Sequence, residues 1–224
     1  MKSDLIATAC HEIKTPLTGI RMVLHLLLER NVGDLTPLQL EMIQAARDDC
    51  ERLLLTLDSL LDLSRMESGR EQLDLRPVAA REILEKTRDA FLAQADARGI
   101  TLQVETEESL PRLLADRVRI GHVIGNFASN ALKFAPEGSM IRLVAEKTPE
   151  RIRLSVIDSG PGIPQPHHAR IFDKFFRLPG QPASGAGLGL SIAREIVQAH
   201  DGRVGVESEP HVATRFFCEL PIAS

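Results

Sequence analysis

Tryptophan and tyrosine are absent, and eight phenylalanines supply the entire aromatic content. Single-stranded nucleic-acid platforms stack bases on aromatic faces, so this vocabulary argues against one. Basic charge is not in excess either: 27 Lys and Arg against 31 Asp and Glu leave a formal net charge of −4. The electrostatic footprint of a duplex binder is missing, and no nucleic-acid partner is expected. Cysteine is scarce. Cys10, Cys50 and Cys218 lie too far apart for a short metal-ligand pair and are odd in number, which excludes a disulfide scaffold. Long apolar runs are also missing. The longest, Val23–Leu28, contains His25 and falls far short of the ~18 residues of a membrane span. No signal peptide opens the chain, so a soluble, cytosolic polypeptide is expected. It starts almost inside a helical pattern, as a fragment of something longer would.

What is present suffices for a core. Hydrophobic residues are 43% and charged residues 26% of 224, near the usual globular mix of roughly 45–50% and about 25%. At ~150 residues per domain the length allows one domain or two small ones. In residues 3–68, Leu5, Ala9, Ile13, Leu17, Ile20, Leu24 and Leu27 form one helical stripe. Asn31 and Gly33 stop that helix. Thr36, Pro37 and Gln39 read as a capping box with Pro at the first helical position. Ile43, Ala46, Cys50, Leu53, Leu57, Leu60 and Leu61 make a second stripe, ending near Ser68-Gly69. The expectation is an antiparallel helical hairpin that pairs with a second copy into a four-helix bundle.

Past Gly69 the pattern changes. Leu73 and Leu75 alternate like a short strand, and Pro77 is expected to begin a helix reaching about Arg98. Strands are expected at Thr101–Glu105, Met140–Glu146, Ile152–Asp158, Val204–Glu207 and Thr214–Leu220, with helices near Asp116–Phe134 and Leu188–His200. A mostly antiparallel strand set with helices implies a two-layer α/β sandwich, so the fold class is α+β.

Four pieces of this half carry chemistry. Asn126 and Asn130 lie four apart on one helix face, where amide oxygens suit a hard cation such as Mg²⁺, with Lys133 near as a phosphate counter-charge. Asp158 ends an apolar strand and is followed by Gly160 and Gly162. A carboxylate there can accept from a base amino group while the backbone lies against the ring. Phe172-Asp-Lys-Phe175-Phe176-Arg177 offers an aromatic anchor and a cation. Gly185-Ala-Gly187-Leu188-Gly189 opens a helix, and its amides make an anion site. Neither a Rossmann fingerprint nor a Walker loop is formed, because the flanking elements of both are missing. Alone, the first piece reads more readily as a polar helix face and the third as core packing, the second equally as a turn, and the fourth as an unspecific glycine-rich loop.

Together and in this order, they resemble the N, G1, F and G2 boxes of the ATPase fold shared by gyrase-type topoisomerases, mismatch-repair and heat-shock ATPases, and histidine kinases. The resemblance covers roughly residues 75–222. It implies that Asn130 ligates Mg²⁺ with Asn126 beside it, and that Lys133 and Arg177 face phosphate oxygens. It implies further that Asp158 reads the adenine amino group of ATP, with Gly160 and Gly162 flooring the pocket and Phe172 as the anchor. Gly185, Gly187, Leu188 and Gly189 would form the phosphate-binding segment, Thr214 would lie near adenine, and residues 178–184 would be a short lid. His122 stands where many relatives have Gln, and Gly125 sits mid-helix beside Asn126.

In the first half, His11-Glu12-Ile-Lys14-Thr15-Pro16-Leu-Thr18 places His11 roughly opposite the apolar stripe, hence exposed. Its imidazole, with an ordinary pKa near ~6.5, is mostly neutral at pH 7 and offers a nucleophilic nitrogen. Glu12 can take or orient the other ring proton. Pro16 deletes the backbone hydrogen bond to the Glu12 carbonyl and is expected to bend the helix. With the second half present, this octet resembles the H-box of sensor histidine kinases, apart from Cys10 where Ser is common. The resemblance implies three segments: a dimerisation and phosphotransfer hairpin over 1–68, a linker over 69–76 and a catalytic ATP-binding domain over 77–224. It implies autophosphorylation on His11, transfer to an aspartate of a response regulator receiver domain, and phosphatase activity in which Thr15 orients a water. It also implies a homodimer forming the cytoplasmic portion of a bacterial inner-membrane sensor, with any membrane contact made through segments outside this chain. The alternatives are a conformational ATPase of the same superfamily and a catalytically inactive dimerisation scaffold. Against the first, Asn126 stands where those relatives place a Glu base.

Overall fold

The computed structural model describes residues 2–29, 33, 35–67, 73–179, 187–210 and 212–223. In the first two helices it gives the backbone, but not the side chains, of residues 2–9, 11, 48, 51–52, 55–56 and 58–67. The chain divides into two compact units, one built on a helical hairpin and one on a sheet.

The hairpin consists of α1 (Lys2–Leu28) and α2 (Pro37–Glu67). The expected capping box is formed: the Thr36 amide donates to Gln39 Oε1 at 2.9 Å, and the Gln39 amide donates to Thr36 Oγ1 at 3.3 Å. Pro16 lies inside α1, which continues through it. The two helices pack through Cys10, Cys50, Leu54 and Leu57, all buried, with Leu17, Leu24 and Leu27 half-buried. Cys50 Sγ donates to the Leu17 carbonyl at 3.2 Å. Four residues of the expected stripes, Ile13, Ile20, Ala46 and Leu53, instead lie on the exposed side together with Met22, Val23, Leu26 and Met42. A two-helix unit has one seam, so an apolar arc wider than that seam leaves part of itself outside.

The second unit begins with β1 (Arg76–Val78), α3 (Ala80–Asp96), β2 (Thr101–Thr106), β3 (Leu113–Ala115) and α4 (Arg117–Phe134). It continues with β4 (Met140–Lys147), β5 (Arg151–Asp158), two 3₁₀ turns at Gln165–His167 and Arg170–Phe172, α5 (Gly189–Ala199), β6 (Arg203–Glu209) and β7 (Ala213–Pro221). The sheet order is β2-β4-β5-β7-β6, with β2 and β4 parallel and the other pairs antiparallel. Helices α3, α4 and α5 cover one face, giving the expected two-layer sandwich. Ile141, Leu143, Ile152, Leu154, Val156, Phe216 and Leu220 point into it against Ile83, Ile120, Ile124, Phe127 and Ile196. Phe127 stacks on Phe216 at 5.6 Å between centroids.

Two local expectations are corrected. Pro77 does not start a helix; it lies in β1, opposite Leu114, and the helix begins at Ala80. Leu73 and Leu75 precede that strand rather than form it. The pairing partner, β3, lies 37 positions away and has only three residues, too few to show a period.

Candidate active site

Strand β5 carries Asp158 to the edge of the layer interface, because Ile152, Leu154 and Val156 hold the alternate inward positions before it. The carboxylate is 5% exposed. Its Oδ1 accepts from the Gly160 amide at 2.8 Å, and among the described residues no other hydrogen bond reaches it. Burial pushes its pKa from 3.8 up to about 6, with the Gly160 hydrogen bond pulling the other way. A carboxylate so placed keeps lone pairs that no described protein group takes up, available to a donor entering the site.

The backbone that follows has no room for side chains. A Cβ on Gly160 would sit 2.7 Å from Asp158 Oδ1 and 3.1 Å from the Phe134 carbonyl oxygen. Gly162 has φ +80°, and a Cβ there would lie 2.6 Å from the Pro210 Cα. The segment thus threads between the C-terminus of α4 and the β6–β7 turn. Thr214 is the register partner of Asp158 across β7 and is buried. Its Oγ1 lies 3.0 Å from Oγ of Ser208, the next residue in the row, on β6.

Helix α4 is capped by Asp116, whose Oδ1 accepts from the Val118 and Arg119 amides at 3.0 and 3.2 Å. Its buried side leaves Asn126 and Asn130 half-buried along one edge. Asn126 Nδ2 donates to the Gly189 carbonyl at 3.2 Å, and a Cβ on Gly189 would come within 3.1 Å of Asn126 Oδ1. Glycine at 189 therefore lets α5 start close against α4. The side-chain amide of Asn130 makes no hydrogen bond among the described residues. Lys133 is half-buried one turn on, and burial followed by the charge of Arg177 holds its pKa below the ordinary value. A half-buried lysine whose charge is disfavoured by a neighbouring arginine gains from an anion placed beside it.

Phe172 is buried in a 3₁₀ turn packed on α5. The Lys174–Glu195 and Arg194–Asp173 ion pairs, at 3.0 and 3.3 Å, hold that segment to the same helix. Arg177 itself is exposed. Of the glycine-rich segment, Gly187 has φ +69° and Leu188 is buried. Gly185, and all of the expected lid except Leu178 and Pro179, lie outside the described residues. In the other unit Glu12 and Thr15 are exposed on α1, whereas the side chain of His11 lies outside the described set, and with it the expected exposure of that ring.

Among the described residues no cluster of His, Cys, Asp and Glu could hold a metal. A divalent cation beside α4 would depend on the Asn130 and Asn126 amide oxygens and on oxygens brought by its ligand, a donor set that fits Mg²⁺. Three supports escaped sequence reasoning. Arg98 donates to the Leu132 carbonyl and, at 2.9 Å, to that of Ala135, closing the end of α4. His200 accepts from the Asp116 amide through Nε2 at 3.0 Å and bonds the Ile196 carbonyl through Nδ1 at 2.7 Å. Ser208 is the third. Its signal was a lone polar residue in the inward phase of Val204 and Val206.

Residues 1–69 match the model of the His Kinase A phospho-acceptor domain, and residues 115–224 match that of the histidine kinase-, DNA gyrase B- and HSP90-like ATPases. The chain is 36% identical over 222 residues to the alginate biosynthesis sensor protein KinB of Pseudomonas aeruginosa. It is 32% identical over 221 residues to the sensor protein DivL of Caulobacter vibrioides. Each alignment takes in 99% of this chain, but only 37% and 28% of those longer proteins. Among solved structures, full-length ShkA in complex with AMPPNP aligns over 99% of this chain and 46% of its own, at 33% identity and TM-score 0.81. The catalytic domain of the histidine kinase ThkA aligns over 67% of this chain and 99% of its own, at 30% identity and TM-score 0.60. With a phospho-acceptor module over residues 1–69 followed by an ATPase module over residues 115–224, the chain belongs to the sensor histidine kinases of two-component systems.

Proposed function

We propose that this chain binds ATP in the second unit, transfers its γ-phosphoryl group to His11, and passes that group to an aspartate of a response regulator receiver domain. The observation that carries the reading is the buried Asp158 carboxylate with one hydrogen bond, beside Thr214, on the side of the sheet that α4 lines with Asn126, Asn130 and Lys133. Asp158 accepts from the adenine amino group, and Gly160 and Gly162 let the backbone floor the base. Lys133 and Arg177 neutralise phosphate oxygens, and the amides of Gly185–Gly189 cradle them. Asn130, with Asn126, would hold Mg²⁺, which would supply charge neutralisation for phosphoryl transfer.

A lone pair on His11 forms the N–P bond as the bond from phosphorus to the bridging oxygen breaks, and ADP departs with that oxygen. Glu12 takes or orients the proton on the other imidazole nitrogen. Asn126 stands where a hydrolysing relative would carry a carboxylate, and an amide cannot deprotonate water. Residues 69–76 act as the joint between the 1–68 and 77–224 domains. The exposed Ile13, Ile20, Met22, Leu26 and Leu53 fit the seam of a homodimeric four-helix bundle. Thr15 serves the opposing phosphatase reaction by orienting a water that attacks phosphorus on the regulator's aspartyl phosphate, releasing inorganic phosphate and the free carboxylate. The chain corresponds to the cytoplasmic portion of a membrane sensor.

Incubation with γ-labelled ATP tests this. Acid-labile, alkali-stable label on the protein is expected, lost in His11→Gln while ATP affinity persists. Free labelled phosphate without protein label would overturn it in favour of an ATPase.

A further inference from the structure

We propose that Ser208 is a positioning residue that orients the base-reading end of the nucleotide pocket and thereby sets its preference for adenine over guanine. The proposal rests on the nucleotide reading above. Asp158, Thr214 and Ser208 form a row across β5, β7 and β6, each the register partner of the next. The Ser208 hydroxyl accepts from the Ile163 amide at 2.9 Å, so it ties down the loop that begins at Gly160. It also lies 3.0 Å from Thr214 Oγ1 and 3.3 Å from the Ala213 carbonyl oxygen.

A serine hydroxyl has one hydrogen to give. If it goes to Thr214, the shorter contact, the Thr214 hydrogen is directed away from Ser208 and is available to a ligand beside Asp158. If it goes to Ala213, Thr214 must donate to Ser208 and presents only lone pairs. The first arrangement makes the pocket an acceptor, Asp158, next to a donor, Thr214. Adenine presents the complement on one edge: an amino donor beside a ring-nitrogen acceptor. Guanine presents a carbonyl oxygen beside an N–H donor, the reverse at both positions. Ser208 thus acts on the base through Thr214 and the Ile163 amide, without itself touching the ligand. Losing its hydroxyl leaves the Ile163 amide unpaired and lets Thr214 rotate.

Calorimetric titration of the chain with ATP and with GTP, each with Mg²⁺, decides it. Ser208→Ala should weaken ATP about tenfold and GTP less than about threefold, lowering the ratio of affinities. Ser208→Thr, which keeps the hydroxyl, should restore the ratio. Because Ser208 works in part through Thr214, the double variant Ser208→Ala/Thr214→Val should lose less ATP affinity than the two single losses multiplied together. Where alanine fails to fold, Ser208→Cys keeps the size with a weak donor and must still lower the ratio. Equal losses for both nucleotides, an unchanged ratio or additive single effects would overturn the proposal. Failure of the unmutated chain to bind ATP would instead refute the nucleotide reading.

Discussion

Asp158→Asn should stabilise the ligand-free protein while weakening its grip on ATP. An unfolded aspartate ionises near 3.8, whereas burial raises this one to about 6. Between those values the folded chain holds a proton that the unfolded chain has lost, so stability falls as pH rises from about 4 to about 6 and stays lowered above. At 1.36 kcal/mol for each tenfold change, the gap converts to a cost of ~3 kcal/mol at neutral pH. Asparagine is neutral throughout, and its Oδ1 can still accept from the Gly160 amide. Its Nδ2 is a buried donor without a partner, which costs about 1–2 kcal/mol. The net gain is roughly 1–2 kcal/mol at pH 7.5, or about 2–8 °C in Tm for a unit of this size. By pH 5 about half of the wild-type cost has gone and the advantage should be close to nothing. ATP affinity should meanwhile fall about 10- to 100-fold, because a hydrogen bond to a charged group is lost. Melting curves of both proteins at pH 7.5 and 5, with and without Mg·ATP, measure all of this. A ligand-free Asp158→Asn protein that melts below wild type at pH 7.5 would refute the reasoning, and so would one whose advantage does not depend on pH.

Three further expectations concern other parts of the chain. Thr15→Ala should keep most autokinase activity and lose most phosphatase activity toward the regulator, while Glu12→Ala should chiefly damage the autokinase; parallel losses in both assays for Thr15→Ala would make that residue structural. Gly162→Ala must accommodate a Cβ 2.6 Å from the Pro210 Cα at φ +80°, so urea unfolding should show a loss of roughly 2–4 kcal/mol, and a loss below about 0.5 would contradict the packing described. His200 is buried with its pKa held below 6.5, first by burial, so its contribution is intact above pH 6.5 and lost as pH falls below it. In an Asp158→Asn background, which removes the opposing titration, His200→Gln should flatten the decline in stability between pH 7.5 and 5.5; equal slopes would show that His200 does not titrate out of step with the unfolded chain.

Local chemistry made most elements legible. Thr36 and Gln39 announce the start of α2 because a capping box needs only residues three apart. Asp116 does the same for α4. The alternation through Ile152, Leu154 and Val156 places Asp158 on the inward face without reference to any other strand. Pro77 misled because proline at a helix start and proline in a short edge strand look alike locally, and the deciding partner, Leu114, lies 37 residues away. A separation of 39 positions likewise hid the parallel pairing of β2 with β4, since periodicity says nothing about strand direction.

The site divides along the same line. Spacing alone put Asn126 and Asn130 on one helix face and glycines after Asp158, because a helix turn and a tight loop are properties of neighbouring residues. Only the tertiary structure brought Gly189 against Asn126, across 63 positions, and the Ser208 hydroxyl to the Ile163 amide across 45. It also set the charge properties of the site. The Asp158 carboxyl is raised because helices and sheet together exclude water from it, and Lys133 is depressed by that same exclusion and by Arg177 from a distant turn. Solvent exclusion and the approach of distant charges arise from the packing of whole layers, so no local pattern of residues can encode them.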